Sequence, residues 1–73
     1  MTVKELFNHF KTYFKRIVYK CYIDDEFGCF EDKEPEVLTN DFIENYGDHI
    51  VTDWEFLTPD NAIYLELDRV QGE

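Results

Sequence analysis

Residues 16–32 read "RIVYKCYIDDEFGCFED". β-Branched and aromatic residues crowd the first half, where Ile17, Tyr19, Cys21 and Ile23 alternate with Val18, Lys20 and Tyr22. A period of two is the mark of a strand whose faces meet different surroundings. "DDEFG" then reads as a turn and "CFED" as a short return strand, which predicts a hairpin pairing 18–23 with 28–32 and an acidic tip. A hairpin here commits the chain to a sheet, and the flanking segments decide what covers it.

Upstream, "TVKE" places Thr2 as an N-cap and Glu5 at the third helical position, a capping box. Val3, Leu6, Phe7, Phe10, Phe14 and Ile17 follow at spacings of three and four, predicting an amphipathic helix over 3–15. Leu6, Phe7, Phe10 and Phe14 share its apolar face and are the expected start of the core. Lys4, Asn8, Lys11, Thr12 and Lys15 form the polar face, with lysines toward the negative end of the helix dipole.

Downstream, Pro35 ends the preceding element, and Leu38, Phe42, Ile43 and Tyr46 suit a second, short helix. Thr39 is its candidate cap and Gly47 its stop. "HIVTDWEFL" and "AIYLELD" then read as two strands around the turn "TPDN". Ile50, Thr52, Trp54 and Phe56 would share one face of the first, and Ile63, Leu65 and Leu67 one face of the second. The expected fold is a single α+β domain over residues 1–73, in the order α-β-β-α-β-β. It would be an antiparallel sheet with both helices on one face and a frayed tail at 68–73. The uncovered face would show Asp53, Glu55, Glu66 and Asp68 around Tyr64.

Charge narrows the function. The chain has 73 residues and a net charge of −10, with seven Phe, five Tyr and one Trp. That aromatic content excludes disorder. It also leaves rings such as Tyr13, Tyr19, Tyr22 and Tyr64 for a partner or a homodimer. Residues 1–20 carry about +4 and residues 21–73 about −14. A basic first helix can pair with its own acidic neighbours, or the acidic part can face a basic partner. Counterion release needs clustered Lys and Arg, so direct nucleic-acid binding is not expected, nor is an anionic membrane. No apolar run approaches the ~20 residues that cross a bilayer. The start lacks a leader pattern, which predicts a cytoplasmic protein with Cys21 and Cys29 as free thiols.

The stretch 24–36 packs in Asp24, Asp25, Glu26, Glu31, Asp32, Glu34 and Glu36. Its spacing does not fit a calcium loop, and Cys21, Cys29, His9 and His49 do not fit a zinc knuckle. No metal or cofactor is expected. His9, His49 and the two cysteines carry no catalytic spacing, and no glycine loop cradles phosphate, so no catalytic residues are assigned. The cluster is expected instead to be a partner surface, with Phe27 and Phe30 as apolar anchors. Asp53, Glu55, Glu66 and Asp68 form a second set. Side chains on one strand face recur every ~6.6 Å, and duplex DNA carries one charge per ~1.7 Å of axis. Such strands can present phosphate-like charge to a protein that grips DNA.

"MTVKELFNHF", "IVYKCYID" and "IYLELD" resemble, in style, short proteins of phages, prophages and conjugative elements. Small acidic proteins of that kind include inhibitors of host defence, anti-CRISPR proteins among them, several of which imitate DNA. The resemblance implies a non-enzymatic inhibitor occupying the basic groove of a nucleic-acid-binding host protein, for example a CRISPR effector. The rival expectation is a small homo-oligomeric accessory protein whose acids only solubilise.

Overall fold

The computed structural model describes residues 1–10, 14–32, 34–57 and 60–72. The capping box is present: Glu5 N–H donates to Thr2 Oγ1 at 3.2 Å, and Thr2 N–H donates to Glu5 Oε1 at 3.1 Å. These bonds from Thr2 hold the Glu5 carboxyl below the usual range. Helix α1 runs over Val3–His9 and buries Val3, Leu6 and Phe7. It is shorter than the predicted 3–15, because Phe10 is already extended at φ −92°, ψ 129°. The predicted helical residues Lys11, Thr12 and Tyr13 lie outside the described residues. Phe14 is buried as expected, but beyond the helix, where Lys15 N–H donates to Asn61 O at 2.9 Å.

Four strands follow: β1 over Arg16–Cys21, β2 over Glu26–Glu31, β3 over His49–Leu57 and β4 over Ala62–Val70. Helix α2, Pro35–Tyr46, separates the two hairpins, so class and element order are those expected. The spatial order is β2-β1-β4-β3. Both hairpins are antiparallel, but the central pair is parallel, with Ile17 opposite Ile63 and Tyr19 opposite Leu65. The sheet is therefore mixed, a correction to the all-antiparallel expectation. The cause lies in α2, whose twelve residues span ~18 Å, about the length of a six-residue strand. It carries the chain from the end of β2 back along the sheet, so β4 enters beside β1 running the same way. The most apolar strand thereby becomes central, with Ile63, Leu65 and Leu67 fully buried.

Local details also move. The first turn occupies residues 22–25, with Asp25 at φ 51°, so Glu26 and Phe27 belong to β2 rather than to the turn. Asp tolerates that left-handed conformation better than most residues do. Thr39 is inside α2, where its hydroxyl donates to Pro35 O at 2.9 Å; Pro35 itself starts the helix, where a missing N–H costs nothing. Gly47 does end α2, its N–H donating to Ile43 O at 2.7 Å. Of the predicted "TPDN" turn, Thr58 and Pro59 lie outside the described residues; Asp60 and Asn61 form a turn, with Asn61 at φ 52°. Strand β4 continues to Val70, three residues into the stretch expected to fray, because His49 and Val70 pair.

Both helices pack on the face that carries Ile17, Tyr19, Cys21, Ile63, Leu65 and Leu67, with Leu38 and Phe42 of α2 completing the core. A register shift between His49 and Asp53 sets Val51 opposite Leu67 and brings it to the same side. Cys21 and Cys29 are free thiols; Cys21 is buried on the covered face and Cys29 is exposed.

Candidate partner-binding surface

The thirteen residues expected to meet a partner separate into four groups. Asp24 and Asp25 stand exposed in the β1–β2 turn. Glu31, Asp32, Glu34 and Glu36 follow β2 into the start of α2. Here Glu31 lies 3.9 Å from Arg16, and Asp32 accepts from Glu34 N–H at 3.0 Å. Glu36 falls in the first turn of α2, a favourable place for an anion. Asp53, Glu55, Glu66 and Asp68 lie on β3 and β4, and Phe27 of β2 belongs with them, in the same cross-strand row as Glu66 and Asp53.

Glu26 and Phe30 go elsewhere. Phe30 does not anchor the acidic tip: it faces α2 and meets Phe42 edge-on at 5.2 Å between ring centroids. Glu26 accepts a hydrogen bond from Tyr19 at 2.8 Å and another from Tyr46, and the two phenol oxygens lie 2.9 Å apart. The two phenols hold the Glu26 carboxyl below the usual range, Tyr46 most of all. In turn, burial first and then the bond to Glu26 push the Tyr46 hydroxyl far upward. Gly28 makes this possible, since a Cβ there would lie 2.7 Å from the Tyr19 hydroxyl oxygen. Tyr19, expected among the aromatics left for a second copy, is consumed inside the domain.

The other sheet face carries no described helix. Across the four strands, Phe27, Lys20, Glu66 and Asp53 form one row, and Cys29, Val18, Tyr64 and Glu55 the next. Phe27 is 68% exposed. Tyr22 and Tyr64 both donate to Glu66 Oε1, at 2.8 and 3.1 Å, and Lys20 Nζ lies 4.8 Å above the Tyr22 ring. The bond to Glu66 raises the Tyr22 hydroxyl; burial and then the same bond raise that of Tyr64. Asp53 sits directly opposite Glu66, and Glu55 opposite Tyr64. Like charges paired across strands weaken a sheet, so folding alone does not favour this arrangement.

Part of the basic N-terminal segment does meet its own acids, through Lys4–Asp48 at 3.4 Å and Arg16–Asp60 at 3.2 Å. Such exposed pairs contribute little. His49 is tied down, its Nδ1 2.8 Å from Asp68 O and its ring against Tyr46. Among the described residues, no three His, Cys, Asp or Glu side chains converge on a metal position, and no helix is long and apolar enough to cross a membrane.

One feature of the surface had only a faint signal in the sequence. Trp54 and Phe56 are 40% and 45% exposed, although they lie on the helix side of the sheet. Phe10 meets them edge-on at 5.4 and 5.3 Å. Alternation in "DWEFL" places the rings on the apolar face, where Phe10 and, against Phe56, Phe14 pack on them and still leave them partly open. No protein-family model, curated protein or solved structure matches the chain.

Proposed function

We propose that this is a non-enzymatic, acidic interaction protein of phage or mobile-element type, which acts in the host cytoplasm. Its open sheet face occupies the basic groove of a nucleic-acid-handling defence protein. A CRISPR effector is the kind of target that the resemblance to anti-CRISPR proteins implies.

The observation that carries this reading is the cross-strand placement of Asp53 against Glu66, with Glu55 alongside, on a face that no described helix covers. The strand ladder sets these carboxylates ~5 Å apart across strands and ~7 Å along them. The charge of one DNA strand recurs every ~3.4 Å of axis; the carboxylates here are sparser, about half as dense along the strand, but they are held in a rigid array of one sign that a groove lined with Lys and Arg attracts. Two phenols orient Glu66, while Phe27 and Tyr22 offer apolar area beside the charge. Charge sets approach and orientation, and the rings add affinity.

The test is capture from nuclease-treated host lysate on the immobilised protein, followed by elution with duplex DNA. A nucleic-acid-binding protein should be retained at low salt and released by the duplex. The combined variant Asp53→Asn, Glu55→Gln, Glu66→Gln should lose it. Retention that neither DNA nor neutralisation disturbs would defeat the mimic reading.

A further inference from the structure

We infer that the outer edge of β3, from Asp53 to Leu57, is a strand-addition site for an extended partner segment in which basic residues alternate with apolar ones. This concerns the edge of the sheet rather than its open face. It holds whether or not the partner handles nucleic acid.

β3 ends the strand order, with β4 its one neighbour in the sheet. Its first residues already accept a fragment of strand on the outer side. Thr2 bridges Ile50 in antiparallel sense, and Val51 N–H donates to Met1 O at 2.8 Å. Beyond that bridge, the edge has no strand beside it among the described residues. Edges are usually blunted by charged side chains, proline or a bulge. Here the irregularity stops at Asp53, and residues 53–57, "DWEFL", contain no proline; their two charges, Asp53 and Glu55, repel an acidic strand but not a basic one.

The two sides of this edge specify its occupant. Asp53 and Glu55 lie toward the open face, and Trp54 and Phe56, both partly exposed, toward the helix side. An added strand repeats that alternation, so its residues meet carboxylates on one side and rings on the other. A second copy of the chain is the wrong occupant. It would set Asp53 and Glu55 against their own kind, on molecules that each carry −10. Trp54 N–H donates to Asp53 Oδ1 at 2.9 Å, a local plug on the edge. An incoming carbonyl replaces that acceptor and frees the carboxylate for a basic residue.

Trp54 is the chain's one tryptophan, so its emission reports on the edge directly. The probes are synthetic eight-residue peptides: alternating Arg and Val, the same composition in two blocks, and two alternating versions N-methylated at either the Arg or the Val residues. Only every second residue of a strand bonds to a given neighbour. The alternating peptide should give a saturable Trp54 shift and bind at least about tenfold more tightly than the block peptide. One methylated series should lose binding by a similar factor and the other keep it. The Asp53→Asn, Glu55→Gln protein should bind the alternating peptide more weakly. Equal binding of alternating and block peptides, loss in both methylated series or in neither, no saturable shift, or a salt-insensitive dimer that hides Trp54 would each overturn the proposal.

Discussion

Each face of the sheet holds one glutamate between two tyrosines. On the covered face, Glu26 accepts from Tyr19 and Tyr46, and the three residues tie β1, β2 and α2 together at the margin of a layer of rings. On the open face, Glu66 accepts from Tyr22 and Tyr64, with Tyr22 half exposed and Asp53 opposite. The same three residue types serve different ends because the phenols differ in their surroundings. Rings pack around the buried Tyr19 and the half-buried Tyr46, so their hydroxyls are fixed by packing, although the Glu26 carboxylate that they meet is itself exposed. On the other face Glu66 is half-buried, but the Tyr22 ring is open to water, and the bonds mainly orient a charge that folding alone does not favour.

The largest effect should come from removing the ring layer against which Tyr19 and Tyr46 pack. Phe42 is fully buried and meets Phe7, Tyr19, Phe30 and Tyr46. Phe42→Ala should cost about 3–5 kcal/mol, much of the ~5–15 kcal/mol typical of a domain. A circular-dichroism melt close to that of the wild type would show that this layer is not the core.

Gly28→Ala comes next. The new Cβ would meet the Tyr19 hydroxyl and ring, which are held by neighbouring rings and cannot swing away. Overpacking of this kind costs about 1–3 kcal/mol. A denaturant midpoint unchanged from wild type would mean that the glycine is not required for the cluster.

The third prediction sets the two clusters against each other. Tyr46→Phe should lower Tm by roughly 5 °C, and Tyr22→Phe by less than about 2 °C. Acid should widen the gap in a defined way. The folded-state pKa of Glu26 is depressed, so its bonds stabilise the fold above the ordinary carboxylate range near ~4.3. That contribution fades as pH falls through the lowered folded value. Raised tyrosines act in the opposite sense, and their share is lost as pH climbs above ~10. Wild type should therefore lose stability relative to Tyr46→Phe at both extremes, and parallel Tm-against-pH curves for the two proteins would contradict this.

The smallest effect has the opposite sign. Asp53→Asn keeps an acceptor for Trp54 N–H but removes the like charge facing Glu66. Tm should rise by about 1–4 °C at low salt, and the gain should shrink as salt screens the pair. A drop at every salt concentration would mean that Asp53 serves the fold after all.

Much of the candidate surface was legible because alternation is local. "TDWEFL" and "AIYLELD" assign Asp53, Glu55 and Glu66 to one side of their strands without any knowledge of the neighbours. The acidic run at 24–36 was less so. Its seven carboxylates look alike in sequence, yet only Glu26 meets the two phenols, since it falls opposite Cys21 and within reach of Tyr46. Phe27 and Phe30 likewise part company: three residues apart on one strand, they face opposite sides.

The residues a few positions apart were enough to give the start of α1, the order of elements, the side of the sheet that β1 and β4 bury and the concentration of charge. Each of these depends on side chains a few positions apart: Thr2 with Glu5, or Ile63 with Leu65. Only the tertiary structure decided that β4 lies beside β1, that the central pair is parallel, and that Trp54 and Phe56 stay partly open on the helix side. Those outcomes depend on partners far along the chain, such as Tyr22 and Glu66, 44 positions apart. Hydrophobic burial and strand pairing choose among such partners collectively, and a period of two is satisfied equally well by several strand orders.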